Sequence, residues 1–207
     1  MNILLLSSLV GSKKAFEKFI KNCQTNEITF IATAAENESY TKYVDDARSY
    51  LKELGFKIKE LEVSKIDEEK SKEILKNTEF LYVSGGNTFY LLQELQKKNL
   101  LGYINQRVNE GMIYVGESAG SIIASPDIEY IKYMDDPKAA PELKSKNALN
   151  LVDFYTLPHW GEEPFKEAAE KIRQIYADSL ELVAIDNKSA IRCILNNSYE
   201  LYLGDDF

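Results

Sequence analysis

Residues 112–125 read Met-Ile-Tyr-Val-Gly-Glu-Ser-Ala-Gly-Ser-Ile-Ile-Ala-Ser. The apolar run Met112 to Val115 has the length of a buried strand, and Gly116-Glu117-Ser118-Ala119-Gly120 breaks it. Small and apolar residues then continue to Ser125-Pro126 and read as a helix. Strand, sharp turn and helix form the setting that a G-x-S-x-G nucleophile elbow requires. Glycines allow such a bend because they carry no Cβ. The pattern predicts Ser118 at the tip of the turn, at the N-terminus of a helix. Backbone N–H groups there are placed to stabilise a developing oxyanion.

Upstream of this turn, strand and helix signals alternate. Asn2–Ser7 reads as a strand, Ser12–Cys23 as a basic amphipathic helix and Glu27–Thr33 as a second strand. Tyr40–Leu54 repeats apolar residues at helical spacing and stops at Gly55. Phe56–Val63 alternates apolar and charged residues, as a strand with one wet face does, and Asp67–Lys76 is a short polar helix. Glu79–Val83 is a strand closed by Ser84-Gly85-Gly86-Asn87, and helices follow over Thr88–Lys98 and Gly102–Asn109. This alternation predicts an α/β fold: a doubly wound, mostly parallel sheet with helices on both faces, in one domain over residues 1–207. In such sheets, sites form at the carboxyl ends of the strands. The Gly85-Gly86 turn and the Ser118 turn are therefore expected to open on one crevice.

Downstream, Pro126–Asn150 is long, polar and irregular, and reads either as a functional loop or as disorder. Leu151–Leu157 returns to strand character and ends at Pro158-His159-Trp160-Gly161. Glu163-Pro164 starts a helix with proline at the first helical position. Its apolar face is Phe165, Ala168, Ala169, Ile172, Ile175 and Tyr176. Leu182–Ile185 is a strand, Asp186-Asn187-Lys188 a turn, and Ala190–Leu195 with Tyr199–Leu203 a C-terminal antiparallel hairpin through Asn196-Asn197.

The formal net charge of −8 argues against nucleic acid and anionic membrane as partners, since both need a basic surface. Two cysteines, Cys23 and Cys193, lie far apart without a C-x-x-C, against a disulfide scaffold or a thiolate zinc site. The apolar start lacks a basic segment before it, and no stretch is apolar enough to span a membrane. A cytoplasmic protein, monomeric or homodimeric, with no metal and no cofactor is the expectation.

His159 is the only histidine. It follows a strand and a proline, which puts it on the same rim of the sheet as Ser118. A serine needs a nearby base to act as a nucleophile at neutral pH, and an imidazole suits that role. The Gly85-Gly86-Asn87 turn has two compatible readings. Asn87 caps the following helix, and the Gly86 N–H stands beside that of Ala119 as an oxyanion donor.

With these residues named, the chain resembles the peptidase E (aspartyl dipeptidase) and cyanophycinase-like family of serine peptidases. The matching segments are Tyr82-Val-Ser-Gly-Gly-Asn-Thr-Phe89, Gly116-Glu-Ser-Ala-Gly-Ser121 and Leu157-Pro-His-Trp160, in the family's order. The Leu151-Val-Asp-Phe-Tyr-Thr-Leu-Pro-His159 run is similar to short, Gram-positive-type homologues. The resemblance implies a fold related to class I glutamine amidotransferases, where a cysteine replaces the serine. It implies Ser118 as nucleophile, His159 as base and the Gly86 and Ala119 N–H groups as oxyanion hole, acting on short peptides.

Two positions depart from the family pattern. A glutamate orients the histidine in well-studied members, and alignment puts Asn187 there; Asp186 and Asp135 are the alternatives. An arginine on the helix after the histidine pairs with the substrate's aspartate in aspartyl-specific members. Here Ala168 matches it, and Arg173 lies about a turn and a half further on. Asn87, Asp135 and Arg173 are candidate substrate-binding residues. The competing readings are a binding or sensing descendant with an impaired triad, and an esterase. The esterase is disfavoured because further strands follow His159, whereas in α/β-hydrolases the histidine comes last.

Overall fold

The computed structural model describes residues 2–194 and 198–204. In chain order the elements are β1 (Ile3–Leu6), α1 (Lys13–Ile20), β2 (Glu27–Ile31), α2 (Lys42–Glu53), β3 (Lys57–Glu60), α3 (Glu68–Lys76), β4 (Phe80–Val83) and α4 (Thr88–Lys97). They continue as α5 (Leu101–Asn109), β5 (Ile113–Glu117), α6 (Ala119–Ile122), β6 (Tyr155–Leu157), α7 (Lys166–Tyr176), β7 (Leu182–Ala184), β8 (Ala190–Cys193) and β9 (Tyr199–Tyr202).

Seven strands form one sheet in the order β3-β2-β4-β5-β1-β8-β9. β3, β2, β4, β5 and β1 run parallel, and β8 is antiparallel to both β1 and β9. The sheet is thus mostly parallel and flanked by helices, with antiparallel C-terminal strands, in agreement with the α/β expectation. The Asn196-Asn197 turn lies outside the described residues.

Side chains alternate across each strand, so the sheet feeds two cores. Leu4, Leu6, Phe30, Phe80, Tyr82 and Val115 face α1 and α2, which add Phe16, Val44, Ala47 and Leu51. Ile3, Leu5, Leu81, Val83 and Tyr114 face the other side, against α3, α4, α5, α6 and α7. Each fully buried Leu or Phe contributes about 1.5–3 kcal/mol of transfer free energy. Asp67 and Asn87 cap α3 and α4, accepting from Lys70 N and Tyr90 N.

Three local expectations change. Only Tyr155–Leu157 of the 151–157 run is strand; Leu151, Val152 and Phe154 are buried in bends, which explains their apolar pattern. Among the described residues β6 pairs only with β7, in a separate two-stranded parallel ladder. Pro164 is not at the first helical position: it lies in a turn, and α7 begins at Lys166. Ile175, placed on the apolar face of that helix, is 45% exposed.

The 126–150 segment is folded. Its short 3-10 turn at Glu129–Tyr133 buries Tyr130 and Ile131 in the core and packs against α7, and a second at Pro137–Ala139 packs against α4. Gln93 Oε1 accepts from Glu142 N, and Asn105 Nδ2 donates to the Leu149 and Asn150 carbonyls. No helix among the described residues is long and apolar enough to cross a membrane.

Candidate active site

The Gly116–Gly120 turn is held by close backbone packing. A Cβ on Gly116 would stand 2.1 Å from the Gly120 carbonyl oxygen, and one on Gly120 would stand 2.1 Å from that of Val83. Both glycines are therefore required by the space, not by the bend alone. Tyr114 Oη donates to the Gly120 carbonyl at 2.6 Å. Ser118 itself takes φ 50° and ψ −109°, a conformation that L-residues rarely adopt. Its N–H donates to Leu6 O at 2.8 Å, and its carbonyl accepts from Ser121 N at 2.8 Å and Ile122 N at 3.0 Å. α6 is a single turn following it.

Three side chains meet in a line. Ser118 Oγ lies 2.9 Å from His159 Nε2. His159 Nδ1 lies 2.7 Å from Asn187 Oδ1. An amide oxygen only accepts, so Nδ1 carries the ring hydrogen and Nε2 presents its lone pair to Ser118. Phe165 stacks on the imidazole at 4.7 Å between ring centroids. Burial holds the His159 pKa below its ordinary 6.5, with the Asn187 hydrogen bond opposing, so the ring is neutral at physiological pH.

Gly85, just past the end of β4, stands beside Ser118, and Gly86 follows it. A Cβ on Gly85 would stand 3.1 Å from Ser118 Cβ and 3.3 Å from the Tyr43 ring. Gly86 has φ +133°, and a Cβ there would collide with the Ala34 carbonyl oxygen at 2.2 Å. Among the described residues, neither the Gly86 N–H nor the Ala119 N–H donates a hydrogen bond.

The other candidates are engaged elsewhere. Asp186 Oδ1 accepts from Lys188 N and Ser189 N, both at 2.8 Å, and shapes its own turn. Asp135 Oδ2 accepts from Thr88 N at 2.8 Å, at the start of α4. Neither carboxylate stands at His159; that place is taken by Asn187. Burial pushes the Asp135 carboxyl up to about 6, with Thr88 opposing. Asn87 spends Oδ1 on Tyr90 N and Nδ2 on Asp136 O, so it fastens the 126–150 segment to α4. Arg173 lies over the Trp160 ring at 4.9 Å, one residue from His159.

Several residues behind the site carried no signal in the sequence. Glu117, next to the serine, is 3% exposed; it accepts from Leu9 N at 2.7 Å and Tyr82 Oη at 2.8 Å. Burial raises its pKa to about 7, against those two hydrogen bonds. Phe165 was visible only as an apolar helix position. Among the described residues, no group of three or more His, Cys, Asp or Glu could hold a metal ion.

Comparison with known proteins gives a consistent result. The model of Peptidase family S51 matches residues 3–199. An uncharacterized peptidase of Pasteurella multocida (strain Pm70) is 43% identical over 203 residues, covering 98% of this chain and 97% of that one. A peptidase E of Nostoc is 34% identical over 165 residues, covering 76% of this chain and 65% of that one. The crystal structure of a protein of Listeria monocytogenes EGD-e, described as a candidate peptidase E, is 39% identical. It superposes with a TM-score of 0.91 over 98% of both chains.

Proposed function

The chain belongs to peptidase family S51, and from that membership we propose that it hydrolyses short peptides through Ser118 and His159. The observation that carries this reading is the 2.9 Å approach of Ser118 Oγ to the Nε2 of a neutral imidazole. In the reaction, Ser118 Oγ attacks the scissile carbonyl carbon while His159 Nε2 takes its proton. The negative charge that develops on the carbonyl oxygen is met by the N–H groups of Gly86 and Ala119, each worth about 3–4 kcal/mol in a preorganised site. The imidazolium then protonates the leaving amine, whose C–N bond breaks. Water, deprotonated by His159, attacks the ester and releases the acid.

Asn187 fixes the tautomer and the orientation of the ring. Asp135 offers an acceptor for a substrate's α-ammonium group, and Arg173 a cation for a carboxylate. An N-terminal aspartate would call on Arg173, because Ala168 has no charge to offer.

The test is labelling by a serine-reactive phosphonate together with hydrolysis of X-Leu dipeptides, with X as Asp, Asn, Glu, Ala or Lys. Labelling and cleavage that vanish in Ser118→Ala support the proposal. Unchanged labelling in that variant overturns it. The neutral Asn187 favours a second reading, a binding protein with an impaired site. That reading predicts peptide binding without turnover.

A further inference from the structure

We propose that Ser7 is a positioning residue for this hydrolysis, tying the backbone of His159 to the turn that carries Asn187; the inference rests on the Ser118–His159 reading above. Ser7 follows β1 directly and is buried. Its hydroxyl accepts from His159 N at 3.0 Å and donates to Ile185 O at 2.9 Å. One small side chain thus links the two loops whose tips must meet as imidazole and amide. Ile185 is fastened to the His159 loop from the other side as well: it donates to Leu157 O and accepts from Trp160 N, both at 3.0 Å.

His159 needs such a hold. Its φ of 59° is in the left-handed region, a strained place for a residue with a Cβ. Without a fixed amide, the imidazole would be free to swing with its loop. A misplacement of about 1 Å in a reacting group costs on the order of 10²-fold in rate.

The neighbouring residues act on the same three parts. Leu6 O holds the N–H of Ser118 at 2.8 Å. Ser12 Oγ contacts Asn187 O at 3.2 Å and Ser189 O at 3.0 Å. A Cβ on Gly11 would stand 1.9 Å from Asn187 O, so glycine is what lets that carbonyl approach. The segment from Leu6 to Ser12 therefore supports serine, histidine and asparagine from behind, and Ser7 is the member whose side chain touches two of their loops.

The test compares wild type with Ser7→Ala by two readouts. The first is the second-order rate of labelling by a fluorophosphonate. The second is the nitrogen–proton spectrum of the imidazole, which is unambiguous because His159 is the only histidine. Wild type is expected to show a slowly exchanging Nδ1–H. In Ser7→Ala, labelling falls on the order of 10–100-fold and the Nδ1–H broadens into solvent exchange while the backbone spectrum stays native.

Labelling within threefold of wild type with a retained Nδ1–H overturns the proposal. Slower labelling with an unaltered imidazole spectrum also overturns it, because the loss is then merely structural. If Ser7→Ala does not fold, amide exchange in wild type decides: a protected His159 N–H is expected, and exchange at the rate of an open loop overturns the assignment. If wild type resists the probe, the hydrolase reading fails while the imidazole spectra still judge Ser7.

Discussion

His159 Nδ1 faces Asn187 Oδ1 across 2.7 Å, so the imidazole is oriented by an amide instead of a carboxylate. Geometry and charge are thereby separated. The amide fixes the ring and its tautomer, but it offers no negative charge when the ring becomes an imidazolium. In a triad with a carboxylate, replacing that acid by an amide lowers the rate by about 10⁴-fold.

Asn187→Asp is therefore expected to raise kcat on any peptide that wild type cleaves, by at least about tenfold, with KM little changed. Steady-state kinetics on that peptide check it. An unchanged or lower kcat would mean that charge at this position does not limit the reaction.

Ser118→Ala is expected to remove hydrolysis and phosphonate labelling while leaving the melting temperature within a few degrees of wild type. Among the described residues the lost Oγ hydrogen-bonds only to His159 Nε2, so a single contact goes with it. Residual hydrolysis in rigorously purified variant protein would reassign the nucleophile.

Under the proposed mechanism the acid limb of the pH profile is expected to report His159. Only the neutral ring accepts a proton, and burial holds its pKa below 6.5. Half-maximal labelling is expected below pH 6.5 in wild type. In Asn187→Asp it should move upward, since a carboxylate favours the charged ring. A midpoint above 6.5 in wild type would contradict the burial argument.

Glu117 makes stability depend on pH in the opposite sense to most acids. Its folded pKa is raised from 4.5 to about 7, so the buried acid favours its protonated form. The contribution is fully present below pH 4.5 and is lost as pH rises through about 7, worth at most about 3 kcal/mol. Glu117→Gln is expected to flatten this fall between pH 5 and 8 in chemical denaturation. An equally steep fall in the variant would assign the effect to other groups.

Gly86→Ala and Gly111→Ala separate strain from collision. Both glycines have positive φ, but only Gly86 would drive a Cβ into a backbone oxygen; Gly111 has open space. Gly111→Ala is expected to cost about 1–2 kcal/mol, and Gly86→Ala clearly more. Equal losses in thermal unfolding would remove the collision with Ala34 from the account.

Much of the architecture could be read from periodicity. The helical spacing in Tyr40–Leu54, the alternation at β3 and the short apolar run at β4 are local properties, and the elements formed where the pattern put them. The run at Leu151–Phe154 misled because burial, not strand geometry, made it apolar. Pro164 misled because a proline suits a turn before a helix as well as its first residue. In the site, the order and spacing of the three motifs pointed to Ser118, His159 and the Gly86 turn. The choice among Asn187, Asp186 and Asp135 needed coordinates, since it depends on which side chain a turn aims at the ring. Ser7, Gly11 and Ser12 were invisible for a different reason: their partners lie more than 150 residues away in the chain, beyond any local pattern.

That separation has a consequence for the protein's own synthesis. The strand and turn that carry Ser118 are synthesised before residues 159 and 187 exist, and β1 can accept β8 only once residue 193 has been made. Under the proposed mechanism the nascent chain therefore carries a serine with no base beside it until residues 159 and 187 have been made and the C-terminal strands have paired with β1.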